Sequence, residues 1–263
     1  MINGGIAIIG GGNMGGALAR GLVAGGLAAA DLTIVEVDAS KRTALAAQFP
    51  GSTIAGEVVG CANAVIAVKP ADAAAATRAT VDAGATTVLS IAAGVTLAKL
   101  TAAAGHGVAV IRAMPNTPAL VGKGASGFAL GEGCGAEAEA FAAEVLGSVG
   151  LALRVDESLL DAVTGLTGSG PAYLFYVAEA MIAAGVAEGL AAETAEALVR
   201  QLFLGAGTLL AESPDSPTRL RENVTSPNGT TAAGLAALSA AGGREAFFAA
   251  VRAATARSIE LGS

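Results

Sequence analysis

Hydrophobic positions come in short runs in the first half of the chain and in long helical stripes in the second. Ile6–Ile9, Leu32–Val37, Val65–Val68, Thr87–Ile91 and Val108–Arg112 are apolar or β-branched runs of strand length. Alanine-rich stretches of helical length separate most of them. Runs bounded by turn residues and separated by helices predict βαβ units around a parallel sheet buried on both faces. Gly127–Leu130 is expected to add an edge strand and Leu151–Val155 a further one. From Ser158 onward no strand pattern recurs. Leu198, Leu202, Ala206 and Leu209 form a stripe at helical spacing. Pro214 and Pro217 end that helix before a short one carrying Arg219 and Arg221, and a last helix is expected from about Gly243 to Leu261. The pattern predicts a doubly wound α/β domain over 1–155 and an all-helical domain over 156–263. A helical half so rich in alanine and glycine buries little as a lone layer, which points to a subunit partner packed against it.

The turn after the first run sharpens the fold class. Gly10-Gly11-Gly12-Asn13-Met14-Gly15 matches Gly-x-Gly-x-x-Gly, with a strand before it and a helical run from Met14 to Ala24 after it. In that setting Gly10 makes the turn, Gly12 lets a pyrophosphate approach the backbone, and Gly15 allows close helix–strand packing. The expectation is a Rossmann-like domain binding a dinucleotide. Glu36 ends the second run, where an acid bonds both ribose hydroxyls and repels a 2′-phosphate; Lys41 and Arg42 stand just beyond and could receive that phosphate instead. The sequence leaves the choice open. Val68-Lys69-Pro70 and Ser90-Ile91-Ala92-Ala93-Gly94 fall at later strand ends, facing the same crevice. Met114-Pro115-Asn116-Thr117-Pro118 is a rigid turn that could equally be a domain-edge loop.

Composition excludes several classes. Hydrophobic residues make up 53% and charged residues 14%, as in a globular chain. A net charge of −7 without a basic run argues against nucleic acid. The apolar N-terminus lacks a basic leader and is studded with glycine, so it reads as strand and turn and not as a signal peptide or membrane span. Cys61 and Cys134 are far apart in sequence and read as unlinked thiols of the cytoplasm. No metal-ligand cluster is legible.

The chemistry that is missing narrows the reaction. His106, in Ala-Gly-His-Gly, is the sole histidine and reads as a loop residue, so neither a His–Asp relay nor a Ser–His–Asp triad is available. A nicotinamide enzyme without a strong acid suits an imine, whose nitrogen arrives protonated. Thr225-Ser226-Pro227-Asn228-Gly229-Thr230-Thr231 supplies a candidate receptor for it. Pro227 stiffens the turn, Asn228 and Gly229 tolerate positive φ, and a helix start offers N–H groups to a small carboxylate. An ordinary capped turn fits the same residues.

Together these motifs resemble the pyrroline-5-carboxylate reductase family. The matching stretches are Ile9–Gly15, Ala67–Pro70, Ser90–Thr96, Arg112–Ala119, Asp161–Tyr173 and Thr225–Thr231, spread over nearly the whole chain. The resemblance implies reduction of L-1-pyrroline-5-carboxylate to L-proline with NADPH or NADH. It also implies a helical domain that interlocks with a second subunit, in dimers that commonly associate into decamers. By motif, Ile9, Gly10, Gly11, Gly12, Asn13, Met14, Ala67, Val68, Lys69, Pro70, Ile91, Ala92 and Ala93 line the cofactor, and Asn223 approaches it. Glu157, Gly229, Thr230 and Thr231 belong to the substrate, with Thr231 bonding the ring nitrogen. Two positions depart from the family. Asn228 stands where it usually has glycine, and Thr167 where it more often has serine. A reductase of a six-membered cyclic imine, or a dinucleotide-binding regulator without activity, are the alternatives.

Overall fold

A computed structural model describes residues 5–262. Eight strands form one sheet: β1 (Ile6–Ile9), β2 (Leu32–Val35), β3 (Thr53–Ala55), β4 (Asn63–Ile66), β5 (Thr87–Ser90), β6 (Ala109–Met114), β7 (Gly124–Leu130) and β8 (Gly150–Arg154). Their order is β3-β2-β1-β4-β5-β6-β7-β8. β3 through β6 are parallel; β7 runs antiparallel to β6 and parallel to β8. β1 pairs with both β2 and β4, Ile6 facing Leu32 on one side and Asn63 on the other. The strand order therefore reverses at β1/β4, which places a ligand crevice at the carboxyl ends of these strands.

Helices α1 (Asn13–Ala24), α2 (Ala39–Gln48), α3 (Ala73–Asp82), α4 (Leu97–Ala104) and α5 (Ala136–Gly147) cover the sheet. Alternate residues of one strand serve opposite faces. Ile6 and Ile8 join Leu18, Leu22, Leu45 and Phe141 of α1, α2 and α5. Ala7 and Ile9 join Ala73, Leu97 and Leu100 of α3 and α4. This two-sided burial is why the strands read as unbroken apolar runs.

Two strands differ from expectation. β3 lacks an apolar run because it is a three-residue edge strand, with Thr53 exposed. The expected edge strand at 127–130 is instead the end of an interior strand, paired on both sides. Small residues in Gly-Ala-Ser-Gly hide its burial in sequence, and β8 is the edge.

After β8 come α6 (Leu160–Val163), a π-helical turn over Thr164–Gly168, α7 (Gly170–Ala187), α8 (Ala192–Glu212), α9 (Pro217–Asn223), α10 (Thr230–Ala240) and α11 (Gly243–Gly262). The chain divides into two compact units. The first runs through Ser169 and includes the chain from Arg252 onward; the second is Gly170–Val251. The sheet thus ends near the expected boundary at 155/156, while the compact unit runs on through α6 and the π turn.

The second unit has a sparse interior. Ala195 and Val199 are its only buried hydrophobic residues, whereas Leu174, Phe175, Leu198, Leu202, Leu204 and Leu209 are each at least half exposed. By length and composition alone, the helical stretch Glu157–Ala187 could also cross a membrane.

Candidate active site

In the first unit the glycine turn has the geometry that a pyrophosphate needs. Gly10 lies at φ 110°, and a Cβ there would stand 2.5 Å from the Ala67 carbonyl oxygen. A Cβ on Gly15 would collide with the Gly10 carbonyl oxygen, so α1 seats directly on the turn. Gly12 has open space around it and caps α1 without a side-chain bond, and no acid occupies the first turn of that helix. Exposed N–H groups at a positive helix end fit a dinucleotide pyrophosphate. A cleft of about 530 Å³ lies beside this turn, with Gly11, Gly12, Asn13, Arg20 and Lys41 among its lining.

The loop after β2 is tied to the same turn. Glu36, 8% exposed, accepts the Gly11 N–H through Oε2 at 3.2 Å and the Asp38 N–H through Oε1 at 3.0 Å. Arg42 Nη1 donates to the Glu36 and Val37 carbonyl oxygens at 2.9 and 2.8 Å. Asp38 caps α2 and accepts from the Ser40 hydroxyl; this bond, more than any other influence, holds its carboxyl below the usual range. Ala67 is bonded to β1 through its N–H and the Ile9 carbonyl (2.8 Å), and Ile91 to β4 through the Ile66 carbonyl (3.0 Å). Ile9–Met14, Glu36, Ala67–Pro70 and Ile91–Ala93 therefore gather along one edge of the sheet. Lys69 is exposed there.

Glu157 also lies in this unit, held more tightly than the motif indicates. Its Oε1 accepts the Leu97 N–H at 2.7 Å and pairs with Arg112 Nη1 at 3.1 Å. Arg112, almost wholly buried, reaches Asp161 Oδ1 at 3.5 Å, and that oxygen accepts the Ser258 hydroxyl at 2.7 Å. One guanidinium thus joins β6, the segment after β8 and the end of α11. The sequence signal was an arginine inside a strand, flanked by apolar residues. Asn116, in the turn after β6, is a second buried polar residue with a tying role. It donates to the Thr167 carbonyl at 3.0 Å and accepts the Ala125 N–H at 2.9 Å, tying its proline-bounded turn to the π turn. That turn is a buried clamp and not a loose edge loop. π turns within helices recur at functional sites.

The remaining candidates lie in the second unit. Asn228, at φ 60°, is the one non-glycine residue with positive φ among the described residues. Asparagine is the next most tolerant residue after glycine here, so the departure from the family is accommodated. Gly229 is extended (φ −82°, ψ 174°) and caps α10 without a side-chain bond; a Cβ there would collide with Ser226 Oγ. Thr230 and Thr231 are exposed at the first two positions of α10, whose first turn carries no acid. Asn223 ends α9, donating to Asp215 Oδ2 at 3.5 Å.

Other chemistries find little support. His106 is exposed in a turn before β6. Both cysteines are free thiols, and burial pushes the Cys61 thiol up, away from nucleophilic use. No cluster suited to a metal ion occurs among the described residues.

A parallel sheet of this order, with an open glycine turn at its reversal point, defines a dinucleotide-binding domain of the oxidoreductase type. Family models agree: an F420-dependent NADP oxidoreductase model matches residues 5–94, and a pyrroline-5-carboxylate reductase dimerisation model matches residues 157–261. Pyrroline-5-carboxylate reductase of Pseudomonas aeruginosa is 41% identical over 97% of this chain and 96% of its own length. That of Corynebacterium melassecola is 38% identical over 98% of both. The solved structure of the Coxiella burnetii pyrroline-5-carboxylate reductase matches with a TM-score of 0.94 at 32% identity, covering 100% of both chains. The Plasmodium falciparum pyrroline carboxylate reductase, solved with NADP bound, matches at 0.84 and 27% identity over 100% of both. The chain belongs to the pyrroline-5-carboxylate reductase family. Its helical region, matched by the dimerisation model, accordingly serves self-association.

Proposed function

We propose that this chain reduces L-1-pyrroline-5-carboxylate to L-proline, the final step of proline biosynthesis, using NADPH or NADH. The observation that carries the reading is the start of α10. Its glycine cap offers N–H groups with no capping side chain and no acid nearby, two threonines follow, and Asn228 holds the turn in a left-handed conformation. This is a receptor for a small carboxylate with a hydroxyl beside it.

The reduced nicotinamide, when bound, supplies the hydride. The glycine turn fixes the dinucleotide, with Ile9–Met14, Ala67–Pro70 and Ile91–Ala93 around it; Asn223 is assigned to the cofactor by the family motif alone. Gly229 and the first N–H groups of α10 hold the substrate carboxylate, with Thr230 beside them. Thr231 bonds the ring nitrogen and steadies it as it becomes an amine. Glu157, pinned by Leu97 and Arg112, is assigned to the substrate by the family motif alone. Placement of this kind contributes several kcal/mol to rate, which suits a site without a strong acid. Functionally we divide the chain into a cofactor domain, 1–155, and a dimerisation and substrate domain, 156–263. The assembly is a dimer, with decamers as the larger form, acting in the cytoplasm without nucleic acid or membrane partners.

The test is steady-state reduction of pyrroline-5-carboxylate beside its six-membered homologue. Thr231→Val is expected to lower turnover by about one to three orders of magnitude while nucleotide binding stays intact. Unchanged turnover removes Thr231 from the mechanism, and preference for the six-membered ring replaces the substrate.

A further inference from the structure

The loop after β2 carries information on which dinucleotide is used. We propose that Glu36 and Asp38 make this chain select NADH over NADPH, an inference that rests on the reductase reading for the identity of the hydride donor. In this fold the carboxyl end of β2 is where the adenosine ribose lies. Glu36 is immobilised there, both oxygens held by the N–H groups of Gly11 and Asp38. An acceptor in that place bonds a 2′-hydroxyl and opposes a 2′-phosphate.

The groups that would welcome a phosphate are directed elsewhere. Arg42 donates to the carbonyl oxygens of Glu36 and Val37, so it braces the loop from behind. The Ser40 hydroxyl donates to Asp38 Oδ1 at 2.7 Å. Val37, 84% exposed, contributes no donor. Asp38 adds a second carboxylate, fixed by the Ser40 N–H at 2.9 Å. Lys41 and Arg20 line the cleft next to Gly11 and Gly12. Both cofactors carry the pyrophosphate charge that Arg20 and Lys41 favour there, and the Lys41 charge also reaches Asp38. The 2′ position therefore meets two carboxylates, of which Asp38 alone has a cation beside it.

Equilibrium binding of NADH and NADPH to the full-length protein without imine, read by nicotinamide fluorescence, tests this directly. NADH is expected to bind more tightly by about tenfold or more, the scale on which a like-charge contact discriminates. Glu36→Gln keeps an acceptor for the Gly11 N–H but removes the charge, and should bring the ratio toward unity. If that variant does not fold, Asp38→Asn, exposed and still able to cap α2, should tighten NADPH alone. NADPH binding as tightly as NADH to the unaltered protein overturns the proposal, as does a ratio unmoved in every variant that folds. Imine turnover is measured separately. Its absence alongside selective NADH binding would sink the reductase reading and leave this one standing.

Discussion

The two units of this chain satisfy their hydrophobic residues in opposite ways. In the first, Ile6, Ile8, Leu32, Ile34, Leu89 and Leu100 are at most 2% exposed, and helices on both faces complete the core from the same chain. In the second, α7 has no buried residue, and leucines and phenylalanines stand in solvent. Since apolar burial is the main favourable contribution to folding, the first unit carries its own core, while the second keeps an apolar surface on the region that the dimerisation model matches. The division of labour follows. The glycine turn lies in the unit whose core is complete, and the turn we propose for the substrate lies on helices of the dimerisation region.

The sharpest test of the first unit's own core lies in Arg112, its one buried cation among the described residues. Arg112→Leu leaves Glu157 and Asp161 without their shared partner, and Arg112 is 7% exposed at the side chain. Removing one member of a fully buried pair costs about 3–5 kcal/mol, and because Glu157 and Asp161 are partly exposed the low end, about 3 kcal/mol, is expected. Urea unfolding of the variant should show that loss at every protein concentration. A loss that shrinks as the protein is concentrated would mean that association, and not the ion network, supports this unit.

A somewhat smaller effect is expected from the second unit, with the opposite signature. Leu202 is 50% exposed on α8, in the stripe with Leu198 and Leu209. Covering a leucine contributes about 1.5–3 kcal/mol, and a two-fold interface counts it twice. Leu202→Glu should therefore weaken self-association about a hundredfold or more, as followed by sedimentation equilibrium. NADH binding to the first unit should survive. An unchanged association constant would mean that α8 faces solvent in the assembly as well.

How much of this was legible beforehand depends on the range of the interactions involved. Gly10, Gly12 and Gly15 act within one turn, and their spacing between a strand run and a helical run located it. The two-sided core was legible because Ile6–Ile9 has no polar residue to alternate. β3 was not, since three residues carry no periodicity, and the interior place of β7 was hidden by glycine, serine and alanine. The Arg112–Glu157–Asp161–Ser258 network joins positions up to 146 apart in sequence (258 − 112), so no local pattern predicts it. Asn228 shows the middle case. Its left-handed conformation was readable from residue type, whereas its bearing on a substrate came only from resemblance over the whole chain.

Helix starts offer the finest contrast, one that recurs within each unit, and the smallest predicted effect. α2, α4 and α9 are capped by the side chains of Asp38, Thr96 and Ser216, while α1 and α10 begin on bare glycines with no acid in the first turn. The capped starts have their first N–H groups met by side chains; at the bare ones no capping side chain does so, as the proposed ligand sites require. Asp38 makes this measurable. Its carboxyl is held below 3.8, chiefly by the Ser40 hydroxyl and then by the Ser40 N–H. A group with a depressed folded value stabilises above its unfolded value and loses that contribution as pH falls through the folded one. Asp38→Asn retains a capping oxygen but not the charge, so it should be slightly less stable than the parent at pH 7. The difference should close as the pH drops below the 3.8 reference. Urea midpoints of the pair across that range decide it. A difference that persists in acid would assign the contribution to hydrogen-bond geometry, and the α2 start would then owe nothing to its charge.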